Sequence, residues 1–432
     1  MAVSTIRTPR HTLILLVLVG FSLSTLEGCL CHDDEEYIWL FDEPEDPEEE
    51  DPEEPIREPE PPLEEPEDPT DWDWAFPDPE IEPEPPQWEE TEWEIEVVAE
   101  NIPRSFASDD RTSVIVDRQG TVWLGYHRCE DPFCMEPSEL VVGHRRVGQT
   151  TFTWERIEAH SGLFGLAVID ANEPIVIYLH QQSRELRAAL RQPNGRWLIE
   201  ALPVESADAF DGFDVSRDRA RFYVSHASHS RRRIEFFEYN TAAPVPLWRR
   251  LQPRENARSA AYERGLRGGN QLNFFLVHRD GNDEYRLSEY DLGRDEWTRS
   301  SVTYPGAISS LLVRQNQDIC TAGPTVGGLR ATCGSFDSPL SFNQVLHNRG
   351  VYYLSSLIEN RAEDLFIAYH DGATQNLHLA RKPAGGSFST EELHPGETFG
   401  ISTAIDHRDH LLMSFYYCPG SFCEIRLLER QR

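Results

Sequence analysis

The sequence repeats one short apolar segment seven times between Gly120 and Tyr417, and five of the seven copies end in histidine. The last residues of the copies are His127, His180, His226, His278, Pro324, His370 and Tyr416. They follow one another at intervals of 53, 46, 52, 46, 46 and 46 residues. A period of this length is typical of a β-propeller, whose repeats are four-stranded blades stacked on one another. The sequence therefore predicts an all-β, seven-bladed β-propeller.

Each repeat has the same order of segments. A first strand of small and β-branched residues is recognisable in five repeats, at residues 113–117, 166–170, 309–313, 355–359 and 402–406. A turn rich in Asp, Asn, Arg and Gly follows, then the repeated strand, a hairpin connection and a third strand. The fourth, outer strand begins near an aromatic residue, at Trp154, Trp197, Trp248, Trp297 and Phe388.

The last repeat lacks a fourth strand, because the chain ends soon after residues 424–428, its third strand. Residues 92–98, which precede the first complete repeat, resemble the outer strand at residues 196–202. We therefore expect the N-terminal strand to complete the seventh blade. Such closure joins the two ends of the ring and removes an exposed edge.

Three regions are expected: a signal peptide at residues 1–28, an acidic spacer at 29–90 and the propeller at 91–432. Arg7 and Arg10 precede an apolar run at residues 13–26, which is too short to span a bilayer and is typical of a secretion signal. The run ends at Cys29 in a segment that resembles a bacterial lipobox. The resemblance implies a diacylated Cys29, and Leu30 after it implies the outer membrane; the alternative is ordinary cleavage that leaves Cys29 a thiol.

The spacer is too acidic to form a packed domain. Residues 33–90 contain 28 acidic residues, 14 prolines and a single basic residue, Arg57. Their mutual repulsion and the lack of apolar periodicity predict a disordered, extended tether. The rest of the chain has 47 acidic and 39 basic residues. That near balance argues against a nucleic-acid partner, and no cofactor motif is present.

Six cysteines are arranged about the hairpin that follows the repeated strand in three blades: two pairs come directly after the strand, and the third pair flanks the turn at residues 324–328. They are predicted to pair as Cys129 with Cys134, Cys320 with Cys333, and Cys418 with Cys423. Disulfides at equivalent connections imply an oxidising compartment. Zinc is the competing interpretation, but the spacings are not those of paired CxxC knuckles, so no metal site is predicted. Cys31 remains unassigned.

The recurring residues at the ends of the repeated strands would lie on one face of the ring. We consider this candidate ligand face to comprise His127, His180, His226, His278, His370 and Tyr416. Imidazoles can bind metals, transfer protons or bind sugar hydroxyls. The alternative is structural: duplicated repeats inherit the same residue, and each histidine forms a hydrogen bond in its own hairpin.

One repeat contains three short motifs that are also found in a known group of propellers. They lie at residues 368–371 (Ala-Tyr-His-Asp), 377–381 (Leu-His-Leu-Ala-Arg) and 385–388 (Gly-Gly-Ser-Phe). With them, residues 92–432 resemble the sialidase-like and BNR-type propellers, above all the repeat-bearing surface lipoproteins of Gram-negative bacteria. The resemblance implies a propeller at the cell envelope. The Asp-box of sialidases is absent, since Asp117 and Gly120 lie between the first and second strands rather than the third and fourth.

No Gly-x-Ser-x-Gly, Walker-type or His-Glu-x-x-His motif is present. These observations favour a monomeric, lipid-anchored propeller that binds an envelope protein or glycan without catalysis. The alternative is a carbohydrate-active enzyme, a glycoside hydrolase or polysaccharide lyase. Its carboxylates need only be close in space, so no sequence spacing excludes it.

Overall fold

A computed structural model describes most of the chain between residues 93 and 430. The described ranges are 93–103, 112–128, 138–169, 173–204, 212–218, 221–228, 232–241, 243, 247–255, 266–268, 273–279, 285–300, 310–325, 328–336, 338–347, 351–354 and 357–430. Every regular element in these ranges is a β-strand. The predicted signal peptide, Cys29 and the acidic spacer lie outside the described residues.

The strands form seven antiparallel sheets, which are the predicted blades. Blade 1 comprises β2 (Ser113–Val116), β3 (Val122–Arg128), β4 (Glu139–Arg145) and β5 (Thr153–Ala159). Blade 2 comprises β6 (Ser161–Ile169), β7 (Glu173–His180), β8 (Glu185–Arg191) and β9 (Trp197–Ala201). Blade 3 comprises β10 (Gly212–Asp218), β11 (Arg221–Ser228), β12 (Arg233–Asn240), β13 (Trp248–Arg250) and β14 (Arg254–Glu255).

Blade 4 comprises β15 (Leu266–Gly268), β16 (Asn273–Arg279), β17 (Tyr285–Asp291) and β18 (Glu296–Ser300). Blade 5 comprises β19 (Ser310–Val313), β20 (Ile319–Thr325), β21 (Gly328–Ser335) and β22 (Ser338–His347). Blade 6 comprises β23 (Val351–Leu354), β24 (Ile358–Glu359), β25 (Leu365–Asp371), β26 (Leu377–Lys382) and β27 (Ser389–His394). Blade 7 comprises β28 (Thr398–Ile405), β29 (Leu411–Tyr417), β30 (Phe422–Arg430) and β1 (Glu94–Pro103).

The predicted closure of the ring by the N-terminal strand is confirmed. Strand β1 pairs antiparallel with β30, from Glu94 opposite Glu429 to Pro103 opposite Phe422. First strands contact one another at most junctions between blades, β23 of blade 6 contacts β20 of blade 5, and the first strands of blades 7 and 1 complete the circle. The closing strand is longer than the sequence pattern indicated, because its pairing continues past two bulges to Pro103.

The hydrophobic core is divided among the seven junctions between blades. Alternate residues of a strand point to opposite faces of its sheet, and the second strands show this division. In β11, Phe222 and Val224 pack towards blade 2, whereas Tyr223 packs towards blade 4 against Phe274. Each blade is therefore covered on both faces by its neighbours.

The repeated segments form the second strand of every blade, as predicted. The first strand of blade 6 differs from the prediction: β23 ends at Leu354, before the predicted run at residues 355–359, and β24 covers only the last two residues of that run. The first strands of blades 3 and 4 escaped the sequence pattern. Strand β15 has only three residues, which is too short for an apolar alternation to be recognised.

The turn between the first and second strands is built by an acidic or amide side chain in three blades. Asp117 Oδ1 accepts hydrogen bonds from the backbone N–H groups of Gln119 (2.9 Å) and Thr121 (2.8 Å), and Asp117 Oδ2 accepts one from Trp123 Nε1 (3.2 Å). Asn360 and Asp406 accept equivalent backbone hydrogen bonds. Gly120 has a φ of 81°, a conformation that glycine adopts without strain. The Asp117 motif is thus a turn-forming device.

Two disulfides join second strands to third strands, but only one of them lies at the connection between the strands, because Cys320 is near the start of β20, at the far end of the ladder from the hairpin. Cys320 and Cys333 are directly opposite in the β20–β21 ladder and are bonded to each other. Cys418 and Cys423 close the β29–β30 connection. Cys129 and Cys134 lie outside the described residues.

Candidate functional site

The six residues of the candidate ligand face are buried in the structure, with no more than 6% of any of them exposed. Each occupies the end of the second strand of its blade, as the repeat predicted. Among the described residues, no group of three or more His, Cys, Asp or Glu side chains is arranged to hold a metal ion. These six side chains therefore present little accessible surface themselves.

His127 lies in the junction between blades 1 and 2. Its ring packs edge-on against Phe164, with 4.9 Å between centroids. Burial lowers the pKa of His127 to about 4, and a hydrogen bond with the Gly162 backbone opposes this shift only in part. His127 is therefore neutral at physiological pH and serves as a packing group.

Three other histidines have partners within their own blades. His278 Nε2 lies 2.8 Å from Ser288 Oγ. His226 Nδ1 lies 3.8 Å from Oε2 of the buried Glu235, whose carboxylate also binds Arg233. Burial lowers the pKa of His370, and the backbone of Gln375 in the next hairpin opposes this shift in part. These contacts agree with the structural interpretation of the repeat.

His180 is the one histidine of the set that the structure shows joined to exposed charged and hydroxyl groups. Its Nδ1 lies 2.7 Å from Ser183 Oγ and accepts a hydrogen bond from the Ser183 backbone N–H at 3.2 Å. Ser183 Oγ donates to Glu185 Oε2 at 2.8 Å, and Arg187 binds the same carboxylate at 2.6 Å. The β7–β8 hairpin thus carries a connected polar chain at the surface.

This series of polar contacts continues across the junction into blade 1. Arg187 Nη1 binds Glu158 Oε1 at 2.7 Å, and Tyr178 donates to Glu158 Oε2 at 2.5 Å. The ring of His160, in the β5–β6 connection, lies 5.8 Å from that of His180. We name this cluster the seam site; its residues are Glu158, His160, Tyr178, His180, Ser183, Glu185 and Arg187.

The electrostatics of the seam site keep its ion pairs charged. Burial would raise the pKa of Glu158, but hydrogen bonds from Tyr178 and Arg187 lower it overall. The pKa of Tyr178 is raised by burial and by the Glu158 carboxylate. Burial lowers the pKa of His180, and the Arg187 charge lowers it further. At neutral pH the site therefore presents a guanidinium, two carboxylates and a neutral imidazole.

Several seam residues are accessible to a partner. Ser183 is exposed, Glu185 is 44% exposed at its side chain, and Arg187 and Glu158 are partly buried. Their donors and acceptors are fixed by one another, so a partner would meet preorganised hydrogen-bonding groups. Such a surface suits polar groups of a protein or the hydroxyls of a glycan.

Sequence reasoning identified His180 but missed its partners. Ser183, Glu185 and Arg187 follow His180 within one hairpin, where the register places Glu185 opposite His180 and Arg187 opposite Tyr178. That proximity could have been read from the predicted hairpin. Glu158 belongs to the preceding blade, and only the packing of the blades brings it to Arg187.

No family model matches the sequence, and no curated protein matches it. Among the described residues, no helix has the length and apolar character to cross a membrane.

Solved structures with the same fold do match. One, titled "Crystal Structure of Mitotic Checkpoint Complex", has a TM-score of 0.53 and 12% identity and covers 87% of this chain and 99% of its own. Another contains the WD40 repeats of RRP9, with a TM-score of 0.50, 12% identity and coverage of 78% and 100%. Sequence identities this low support only a shared fold. With the seven sheets and their closed order, they show that the chain folds as a seven-bladed β-propeller.

Proposed function

We propose that this protein is a lipid-anchored binding scaffold of the cell envelope, which holds an envelope protein or glycan at the seam site. One observation carries the proposal: the seam site is a connected network of hydrogen bonds that reaches the surface at Ser183 and Glu185. A propeller provides a rigid support for such a site, because both faces of each blade are packed.

The binding role can be tested with the full-length protein, two seam-site variants and one control variant. Ser183→Ala and Glu185→Gln alter exposed groups of the seam site, and Thr374→Ala alters an exposed residue in the equivalent hairpin of blade 6. Each protein would be applied to a glycan array and to separated envelope proteins. We expect at least one ligand that wild type and Thr374→Ala retain and that both seam variants lose. If every retained ligand binds all four proteins equally, the seam site is not the binding site.

The enzymatic alternative makes a different prediction for the same glycans. A hydrolase or lyase would generate new reducing ends with time, whereas a binding scaffold would leave the chain length unchanged. Reducing-end assays on any glycan that binds therefore separate the two. Turnover that is lost in Glu158→Gln, with binding retained, would replace the scaffold by an enzyme.

The anchor has its own experiment. Cells that express the protein would be labelled with a fatty-acid analogue, and the labelled chain compared with that of Cys29→Ser. The proposal expects label on the wild type and none on the variant, because multiple acyl chains on one cysteine would provide stable membrane attachment. Label that persists in Cys29→Ser would contradict it.

A further inference from the structure

The face of the ring opposite the seam site carries a continuous row of turns. In an antiparallel blade, the turn between the first and second strands opens at the same end as the turn between the third and fourth. Gln315 of blade 5 donates from its backbone to Glu359 of blade 6 at 3.1 Å, and Arg361 of blade 6 donates from its backbone to Asp409 Oδ1 of blade 7 at 3.1 Å. These contacts join three blades.

The row extends from blade 7 into blade 1. The His407 ring lies against Gly120, where a Cβ would be 3.1 Å from His407 Cε1 and 2.8 Å from Val147 Cγ2. Val147 belongs to the turn between the third and fourth strands of the same blade. We name this row the arginine arc; it comprises residues 314–318, 360–364, 406–410, 117–121 and 146–149.

The carboxylates of the arc are committed to the turns themselves. Asp117 is buried and binds backbone N–H groups, and Asp406 does the same while it pairs with His410 at 3.2 Å. Asp364 is buried and pairs with Arg381 at 2.6 Å. Glu363 pairs with Arg314 at 3.5 Å. The other two carboxylates of the arc also have partners: Asp318 accepts a hydrogen bond from Asn316 Nδ2 at 2.9 Å, and Asp409 accepts one from the Arg361 backbone N–H. Each of the six carboxylates thus has a partner, and the Glu363 side chain remains 53% exposed.

Four of the five arginines of the arc lie at its surface, whereas Arg314 is paired with Glu359 and Glu363. Arg118, Arg146, Arg361 and Arg408 are exposed at the turn tips. Within the described ranges, the guanidinium groups of Arg146, Arg361 and Arg408 form no ion pair, in contrast to Arg145, which binds Glu96 and Glu429. Guanidinium groups left in water and held on a rigid ring are available for an anionic ligand.

The chemistry around these arginines narrows the class of ligand. Exposed amides accompany them at Gln119, Gln149, Gln315, Asn316 and Gln317. Three of these, Gln149, Gln315 and Asn316, also form hydrogen bonds within the arc. Amides bind hydroxyl groups, and guanidinium forks bind carboxylates. Val147 is the one large hydrophobic residue exposed among the described residues of the arc, so the arc lacks the aromatic anchors typical of protein interfaces and of membrane insertion.

We propose that the arginine arc binds an acidic polysaccharide, whose carboxylates pair with the exposed guanidinium groups and whose hydroxyls bind the neighbouring amides. This site lies on the face opposite the seam site, and it does not depend on the function proposed for that site. A repeating acidic sugar chain can contact arginines on several blades at once, so weak single contacts add up.

The experiment measures binding of the full-length protein to polygalacturonate in 0.1 M salt, where a Debye length of about 10 Å screens the acidic N-terminal segment. The test variant is R146Q/R361Q/R408Q, and the matched control is Arg128→Gln, an exposed arginine on the opposite face. We expect Kd to rise about tenfold or more in the triple variant and to stay within twofold of wild type in the control. Neutral dextran should not bind.

Binding measurements with other polyanions test whether the site prefers an acidic polysaccharide. Poly-glutamate, duplex DNA and anionic lipid vesicles should bind at least about tenfold more weakly than polygalacturonate, because they lack paired hydroxyls and carboxylates. Equal binding of any of these, no binding of polygalacturonate, or an unchanged Kd in the triple variant would overturn the proposal. If the triple variant melts at a lower temperature than the wild type, the single substitution Arg408→Glu replaces it in the binding measurement. We then expect Kd to rise, and an unchanged Kd would overturn the proposal.

Discussion

Tyr416 and His127 are 289 positions apart in the sequence and exchange two hydrogen bonds across the junction of blades 7 and 1. The Tyr416 hydroxyl accepts from the His127 backbone N–H at 3.0 Å and donates to the His127 carbonyl at 3.1 Å. Both residues are buried. This pair fastens the ring where its first and last blades meet, next to the strand pairing of β1 with β30.

Tyr416→Phe is expected to destabilise the propeller by about 1–3 kcal/mol, because it leaves a buried N–H and a buried carbonyl without their partner. The free energy of unfolding in urea measures the loss. Tyr417→Phe is the matched control, since Tyr417 is only partly buried and its ring packs beneath Arg426. Equal effects of the two substitutions would show that the hydroxyl of Tyr416 does not fasten the ring.

Removal of the closing strand is expected to weaken the whole ring. A chain that begins at residue 102 loses most of the pairing of β1 with β30 and the ion pair of Glu96 with Arg145. Its melting temperature should lie at least about 5 °C below that of a chain that begins at residue 89. Deletion of residues 33–88 should leave the melting temperature unchanged. Identical melting of the two truncated chains would contradict closure by β1.

Arg191→Met should destabilise the junction of blades 1 and 2. Arg191 Nη2 binds Glu155 Oε1 at 2.8 Å, and Trp197 donates to the same carboxylate at 2.6 Å. Burial would raise the pKa of Glu155, but these two hydrogen bonds lower it overall. Without Arg191 the partly buried charge loses its main partner, so we expect a loss of about 1–3 kcal/mol.

The companion substitution Glu155→Gln tests the cause of that loss. If the unpaired charge is responsible, Arg191→Met combined with Glu155→Gln should recover part of the stability, as a double-mutant cycle in urea would show. Additive effects of the two substitutions would mean that the ion pair contributes nothing. Because the folded-state pKa of Glu155 is lowered, its contribution is present above the unfolded pKa and disappears as pH falls through the folded pKa.

Stability should also fall on mild acidification because of buried histidine. The folded-state pKa of His127 is about 4, whereas an unfolded histidine titrates near 6.5. Between these values the unfolded chain binds a proton that the folded chain does not, so stability falls as pH drops from 6.5 to 4. This one group accounts for about 3 kcal/mol at most.

The free energy of unfolding, measured in urea at several pH values, checks the prediction. In His127→Gln, the free energy of unfolding should depend less steeply on pH between 4 and 6.5, by the amount that corresponds to about one bound proton. This holds whatever the substitution does to stability at neutral pH. The remaining slope has further sources, since burial also lowers the pKa of His180 and His370. An unchanged slope would show that His127 is not the buried, neutral group that the structure indicates.

The recurrence of His180, His370 and Tyr416 at one period determined the architecture from sequence alone. A blade is a local unit of four adjacent strands, so its period, its turn residues and the facing cysteines Cys320 and Cys333 are all readable along the chain. The missing outer strand of the last repeat likewise predicted its replacement by an N-terminal strand.

The tertiary structure decided what the recurring residues do. Whether His127 faces solvent or Phe164 depends on how blade 1 packs on blade 2. That packing cannot be inferred from the period of the sequence repeat. The seam site joins Glu158 to Arg187 across a junction, and the arginine arc joins turns of four blades. Local spacing specifies the strands within a blade, whereas contacts between blades depend on side chains distant in the chain, and only the closed ring brings these together.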